Sequence, residues 1–270
     1  MKSRVVMVLW LVVNIALFML CAHIGRDWNE FKYVLAFGAC SILVVGTYPS
    51  MTQIAEGRRP PDLRCNKSTV FLAYGLVAGL SLASALLFLT FVFSARYRVS
   101  ASFEVSAVLH CLARAAFHAI TEEILFRDMV MRKLRPKLGL SIAVVMQAIL
   151  FSAVHGFNSS FYGYVNLFVV AIFLALVKLQ TGTLWTCIGI HGAWNFFQTV
   201  AKGDVFVDVH TFGLITQIQP SMFPEQVISS GMFLCCCVLM LLLLHRNTTI
   251  ETFSGLRAPR WFRINAFLKK

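Results

Sequence analysis

Residues 114–127 read RAAFHAITEEILFR, Arg114 to Arg127, in a chain that is otherwise apolar. On a helix, side chains four apart stack on one face. Glu123 then lies against Arg127, and Glu122 against His118, with Arg114 one turn further back. One helix thus carries two lines of charge on neighbouring faces. Inside a membrane such groups are costly and face a bundle interior or a water-filled cavity. The rest of the chain has to supply that cavity.

The composition points to a membrane. Of 270 residues, 58% are hydrophobic and 13% charged, against about 25% charged in a soluble globular protein. Long apolar runs make this an all-α, polytopic transmembrane bundle of about eight helices, one membrane domain over residues 1–270. The runs are 5–21, 31–48, 70–93, a fourth helix from Glu104 that carries the acidic centre, then 140–155, 164–179, 184–200 and 226–244. The first has the charge pattern of a signal peptide but no small-residue cleavage site, and reads as a membrane helix. Residues 49–69, with paired prolines and clustered charge, read as a surface loop, and a polar, mixed loop precedes Gln226. The basic, aromatic tail after Leu244 suits the headgroup region.

The net charge is +12. The bases lie between apolar runs, which favours anionic lipid headgroups as partner over nucleic acid. With eight spans, most bases fall on the side of the N-terminus, so both termini are expected in the cytosol. The eight cysteines show no C-x-x-C spacing and read as small buried hydrophobes.

Three more positions share the character of the glutamate centre. His155 ends an apolar run, and His191 and Asn195 stack four apart on a helix with few other polar groups. Two carboxylates, two imidazoles and a carboxamide fit hydrolysis of an amide bond. A carboxylate takes a proton from water and passes it to the leaving amine. Imidazole and carboxamide N–H groups steady the negative oxygen of the tetrahedral intermediate. Alternatively, Glu122, His155 and His191 are plausible ligands for a divalent metal such as zinc, with water in the fourth place. The one-helix HExxH signature is absent. Metal-free glutamate chemistry and a metal site both remain open. Glu123 with Arg127 reads first as a structural salt bridge, and His110 and His118 carry no functional assignment.

These residues carry a resemblance. Glu122-Glu123-Ile124-Leu125-Phe126-Arg127 resembles the EExxxR motif of the CPBP intramembrane proteases, the CAAX-protease and bacteriocin-processing family related to the CAAX prenyl endopeptidases. Phe151 to His155 resembles its FxxxH motif and His191 to Asn195 its HxxxN motif. The similarity covers roughly 103–200, in the family's order. It implies Glu122 and His155 as the water-activating pair, His191 and Asn195 as the oxyanion pair, and Glu123 and Arg127 in support. It implies an intramembrane endopeptidase acting near the cytosolic surface, on a lipidated or membrane-embedded peptide such as a prenylated CAAX C-terminus. Older descriptions treat the family as metal-dependent. The competing readings are a non-catalytic scaffold or bacteriocin-immunity-type protein and, behind it, a proton-coupled transporter.

One geometric conflict follows from these boundaries. At about 1.5 Å per residue, Glu122 lies roughly 27 Å along a helix from Glu104, and His155 roughly 22 Å along one from Leu140. In an up-and-down bundle those depths belong near opposite faces. A single site requires tilt, a broken helix or different boundaries.

Overall fold

The computed structural model describes residues 2–24, 30–57, 67–99, 105–155, 160–202 and 215–254. They form an all-α bundle: α1 (Lys2–Ile24), α2 (Glu30–Glu56), α3 (Ser68–Val92), α4 (Val105–Glu122), a π-helical segment (Glu123–Val130), α5 (Met131–Leu138), α6 (Leu140–His155), α7 (Phe161–Thr181), α8 (Leu184–Lys202) and α9 (Glu225–Ser254). Since α4, the π-helical segment and α5 follow one another without a break, the described helices make eight rods. Stretches of α2 (Val34–Ile54), α3, α7 and α9 (Glu225–His245) are long and apolar enough to cross a membrane, and α6 is a shorter apolar helix. Their outward side chains, among them Ile42, Val77, Phe88 and Leu242, are exposed. For a multi-pass membrane protein that surface is what lipid covers.

Several boundaries differ from the sequence reading, among them that of the last helix, which runs to Ser254, ten residues past Leu244. The second helix continues past Tyr48 to Glu56, with Pro49 inside it. Proline forfeits one helical hydrogen bond, but Tyr48 and Thr52 on either side are fully buried, and their packing outweighs that loss. The loop before Gln226 contains a strand, β2 (Ile215–Gln219), paired antiparallel with β1 (Arg96–Val99) after α3. This ribbon is an addition to the helical bundle. Residues 58–66 of the first loop, the Gly156–Ser159 break and the tail from 255 lie outside the described residues.

The helix that carries His191 is gripped on two sides. On one side α8 crosses α3 at a seam of glycines. A Cβ on Gly189 would stand 2.5 Å from Leu72 O, and one on Gly79 2.5 Å from Ile190 O, so only hydrogen fits there. On the other side a Cβ on Gly192 would meet Ala119 Cβ of α4 at 3.6 Å, an ordinary contact. Further along, Trp194 packs edge-on against Phe233 of α9 at 5.0 Å, inside the bundle.

Candidate active site

The depth conflict disappears in the structure because the fourth rod is longer than the helix beside it. From Val105 to Leu138 the rod runs roughly 50 Å, and α6 roughly 24 Å. Gly139, at φ +79°, turns the chain back on itself. Thereafter α6 runs antiparallel along only the second half of the rod, with Phe151 edge-on to Phe126 at 5.2 Å. Its last residue, His155, therefore comes level with Glu122 in the rod's middle. His191, near the middle of α8, meets them there.

At this junction the rod is π-helical, and all eight residues from Glu123 to Val130 are buried. Wide π turns inside α-helices occur often at functional sites. Here the segment is braced from α7. Lys178 Nζ donates to the Arg127 carbonyl at 2.8 Å and pairs with Asp128 Oδ1 at 3.3 Å. Arg132 Nε reaches the same oxygen at 3.2 Å. Sequence reasoning passes over Asp128 and takes Lys178 only as one of the cytosolic bases, whereas it is buried in α7; the signal was two opposite charges embedded in apolar helices.

Glu122 is 1% exposed and Glu123 fully buried. The first carboxylate has two environments. Its Oε1 accepts from His118 Nδ1 at 3.1 Å, and the His118 ring stacks on Phe37 at 4.2 Å. Its Oε2 faces His155 Nε2 at 3.3 Å and His191 Nε2 at 3.6 Å; the first is not aligned as a hydrogen bond and the second is too long for one, so Oε2 is buried without one. His118, set aside on sequence, thus touches the central carboxylate. The signal was available in its position four residues before Glu122.

Each imidazole is oriented by its other nitrogen. His155 Nδ1 donates to the Phe151 carbonyl at 2.7 Å. His191 Nδ1 donates to Glu123 Oε1 at 2.8 Å. With both Nδ1–H groups committed, each Nε2 turns toward Glu122 Oε2. Neutral rings would present lone pairs there, so three acceptors converge on one point that a proton or a water O–H must reconcile. Arg127 Nη1 is 3.3 Å from Glu123 Oε1. Its guanidinium lies over the Phe151 ring at 4.2 Å, a cation–π contact. Phe151 also stacks against His155 at 4.4 Å, so this one ring buttresses the supporting cation and a site histidine.

Asn195 follows His191 by one turn on α8. It is half-buried, and its carboxamide makes no hydrogen bond among the described residues; its carbonyl accepts from Thr199 Oγ1 at 2.9 Å. The register of α4 against α8 is fixed at two points. Glu122 meets His191, and Arg114 Nη2 approaches Thr199 Oγ1 at 3.5 Å. Two antiparallel lines four residues in step, 114-118-122 and 199-195-191, set Asn195 level with His118. Three of the four candidate catalytic side chains therefore meet at Glu122, and the fourth stands one turn along the same face.

One carboxylate and two imidazoles have the donor chemistry of a zinc site. However, among the described residues no group of three or more His, Cys, Asp or Glu side chains is arranged to hold a metal ion. The metalloprotease reading thus has no support in this geometry.

Residues 110–197 match the family model described as type II CAAX prenyl endopeptidase Rce1-like. The match covers about a third of the chain and contains all three motifs. This segment is therefore similar to the CAAX protease family, which supports a CAAX-type intramembrane protease at the family level. No curated protein and no solved structure matches the chain at a significant level.

Proposed function

We propose that this membrane protein is a metal-free endopeptidase in which Glu122 activates water, and that its substrates are C-termini of the prenylated CAAX type. The observation that carries the reading is the convergence of His155 Nε2 and His191 Nε2 on the one Glu122 oxygen without a hydrogen bond of its own. A water held between Glu122 Oε2 and His155 Nε2 donates its proton to the carboxylate as its oxygen attacks the peptide carbonyl carbon. His118 holds the opposite oxygen, so the accepting lone pair keeps its aim.

The negative oxygen of the tetrahedral intermediate needs N–H donors. Asn195 offers a carboxamide. His191, whose Nδ1 is held by Glu123, offers an N–H at Nε2 when both ring nitrogens carry a proton. The C–N bond then breaks, and Glu122 passes its proton to the leaving nitrogen. A new C–O bond and a new N–H bond replace the O–H and C–N bonds lost. Glu123 and Arg127 stay outside these transfers: one orients His191, and the other holds the carboxylate in place.

The test is cleavage of a farnesylated CAAX peptide by purified wild type and E122Q in detergent, with and without chelator. General acid–base groups contribute about 10²–10⁴ in rate, so E122Q should lose at least about a hundredfold in kcat. Wild-type cleavage in chelator should persist. Undiminished E122Q turnover removes Glu122 from the chemistry. Loss in chelator with recovery on adding zinc restores the metal scheme. E122Q that folds and matches a wild type without any product returns the chain to a scaffold reading.

A further inference from the structure

We propose that Phe37 of α2 is a positioning residue for the reaction: its ring sets the plane of the His118 imidazole and, through it, the aim of Glu122. The assignment rests on the peptidase reading above. It adds to that reading a side chain from outside the segment 110–197 that carries the family match.

The His118 imidazole cannot aim itself. Rotation about the last bond of a histidine side chain is broad and roughly two-fold. The contact from Nδ1 to Glu122 Oε1 at 3.1 Å decides which edge of the ring faces the carboxylate. It leaves the ring free to swing about that contact. Phe37 removes this freedom. Its ring lies against the imidazole with 4.2 Å between centroids and 22° between planes. Phe37 is itself 1% exposed, so the surface it presents is held by close packing on its other sides. Stacked rings of this kind contribute beyond the apolar area they bury.

The two helices are locked together over the same turn. Ser41, one turn after Phe37, donates from Oγ to the Phe117 carbonyl at 3.1 Å and so accepts from Thr121 Oγ1 at 2.6 Å. Both hydroxyl side chains are buried, and hydrogen bonds shielded from water are the stronger for it. A Cβ on Gly38 would stand 3.0 Å from the Phe117 ring, so a glycine there lets the helices come this close. α2 therefore grips α4 at Phe117, His118 and Thr121, the last of them next to Glu122 in the chain. The grip falls just before the rod turns π-helical. Glu122 Oε1 is fixed from α2 by way of His118, while Oε2 faces the histidines of α6 and α8. A change at Phe37 turns the reacting oxygen from behind and leaves His155 and His191 in place.

A double-mutant cycle separates positioning from packing. Full-length wild type, F37L, F37Y, H118A and F37L/H118A are assayed in detergent on the farnesylated CAAX peptide, with kcat referred to the folded fraction. Leucine keeps an apolar side chain but has no flat face. F37L should lower kcat about two- to tenfold, the worth of one aromatic stack, with KM nearly unchanged. F37Y keeps the ring and should recover most of the loss. In the H118A background there is no imidazole to orient, so F37L should leave kcat where H118A set it. An equal loss in both backgrounds, or wild-type kcat in F37L, overturns the role of Phe37 and leaves the Glu122 chemistry intact. The contact is also read without turnover. Phe37 shields the His118 ring protons, so NMR spectra of histidine-labelled protein should show a His118 signal, identified by its loss in H118A, that moves downfield in F37L and returns in F37Y. An unmoved His118 signal overturns the positioning whatever the turnover. A wild type that yields no product removes the peptidase reading, and a role for Phe37 in the reaction with it.

Discussion

His191 bridges the two adjacent glutamates: its Nδ1 lies 2.8 Å from Glu123, and its Nε2 faces Glu122. Consecutive carboxylates thus do different work. Glu122 faces the two imidazole Nε2 atoms, whereas Glu123 sets the ring proposed as an oxyanion donor. E123Q keeps a hydrogen-bond acceptor for His191 Nδ1 but removes its negative charge. The expected result is a fall of about 10²–10³ in kcat, the loss seen on removing one oxyanion donor, with KM little changed. Wild-type kcat in a folded E123Q protein would show that His191 needs no anionic partner.

Arg127 is fully buried between Glu123 and the face of Phe151. Truncating one member of a buried pair strands the other charge, at a cost of about 3–5 kcal/mol. R127M should lower thermal stability in detergent on that scale. R127K should not restore it, because an ammonium has neither the flat face for Phe151 nor the forked donors. Full recovery by lysine would reduce the residue to a point charge.

His118 fixes Glu122 from behind. H118A should lower kcat by about 10- to 100-fold, the scale of groups that orient a reactive ligand, and leave KM nearly unchanged. A loss confined to thermal stability, with kcat intact in the folded fraction, would make the contact structural only.

The sequence disclosed which side chains gather here, and much less about how. Spacing alone paired His118 with Glu122 and Glu123 with Arg127, because four residues make about one turn whether the rod is α- or π-helical. His155 and His191 stood out as polar groups on apolar helices. Their depth did not. That depended on the rod continuing through the π-helical segment and past Pro136 to Leu138, while α6 stops at His155. The rod's last turns, Met131–Leu138, are basic and hold Pro136, a pattern that reads as a turn and hides the continuing helix. The pairing of Lys178 escaped notice for a different reason. Its partner, the Arg127 carbonyl, is a backbone atom 51 positions away, and such tertiary pairings leave no periodicity.

That tertiary bond gives the next expectation. Lys178 neutralises Asp128 and caps the Arg127 carbonyl at once. K178M removes both and leaves Asp128 to Arg132 alone. A stability loss of about 2–4 kcal/mol is expected from the broken buried pair and the orphaned carbonyl. D128N/K178M, which no longer holds a buried carboxylate short of its lysine, should recover part of it. Thermal melts of the single and double variants check the coupling, and strictly additive losses would mean the two side chains act independently.

The seam between α3 and α8 sets where His191 can stand. A Cβ on Gly189 would lie 2.8 Å from Gly75 Cα and 2.8 Å from Leu76 N, and these are backbone atoms that cannot rotate away. G189A should therefore push the helices apart, at about 1–3 kcal/mol for an overpacked contact. Because His191 is only two residues further on, the same shift loosens its grip on both glutamates, and kcat should fall beyond what the lost folded fraction explains. Gly231 in α9 is the control, since a Cβ there meets nothing within 4 Å. G231A should leave stability and turnover at wild-type levels, helped by alanine's higher helix propensity. Equal behaviour of the two variants would show that the glycine seam does not position the histidine.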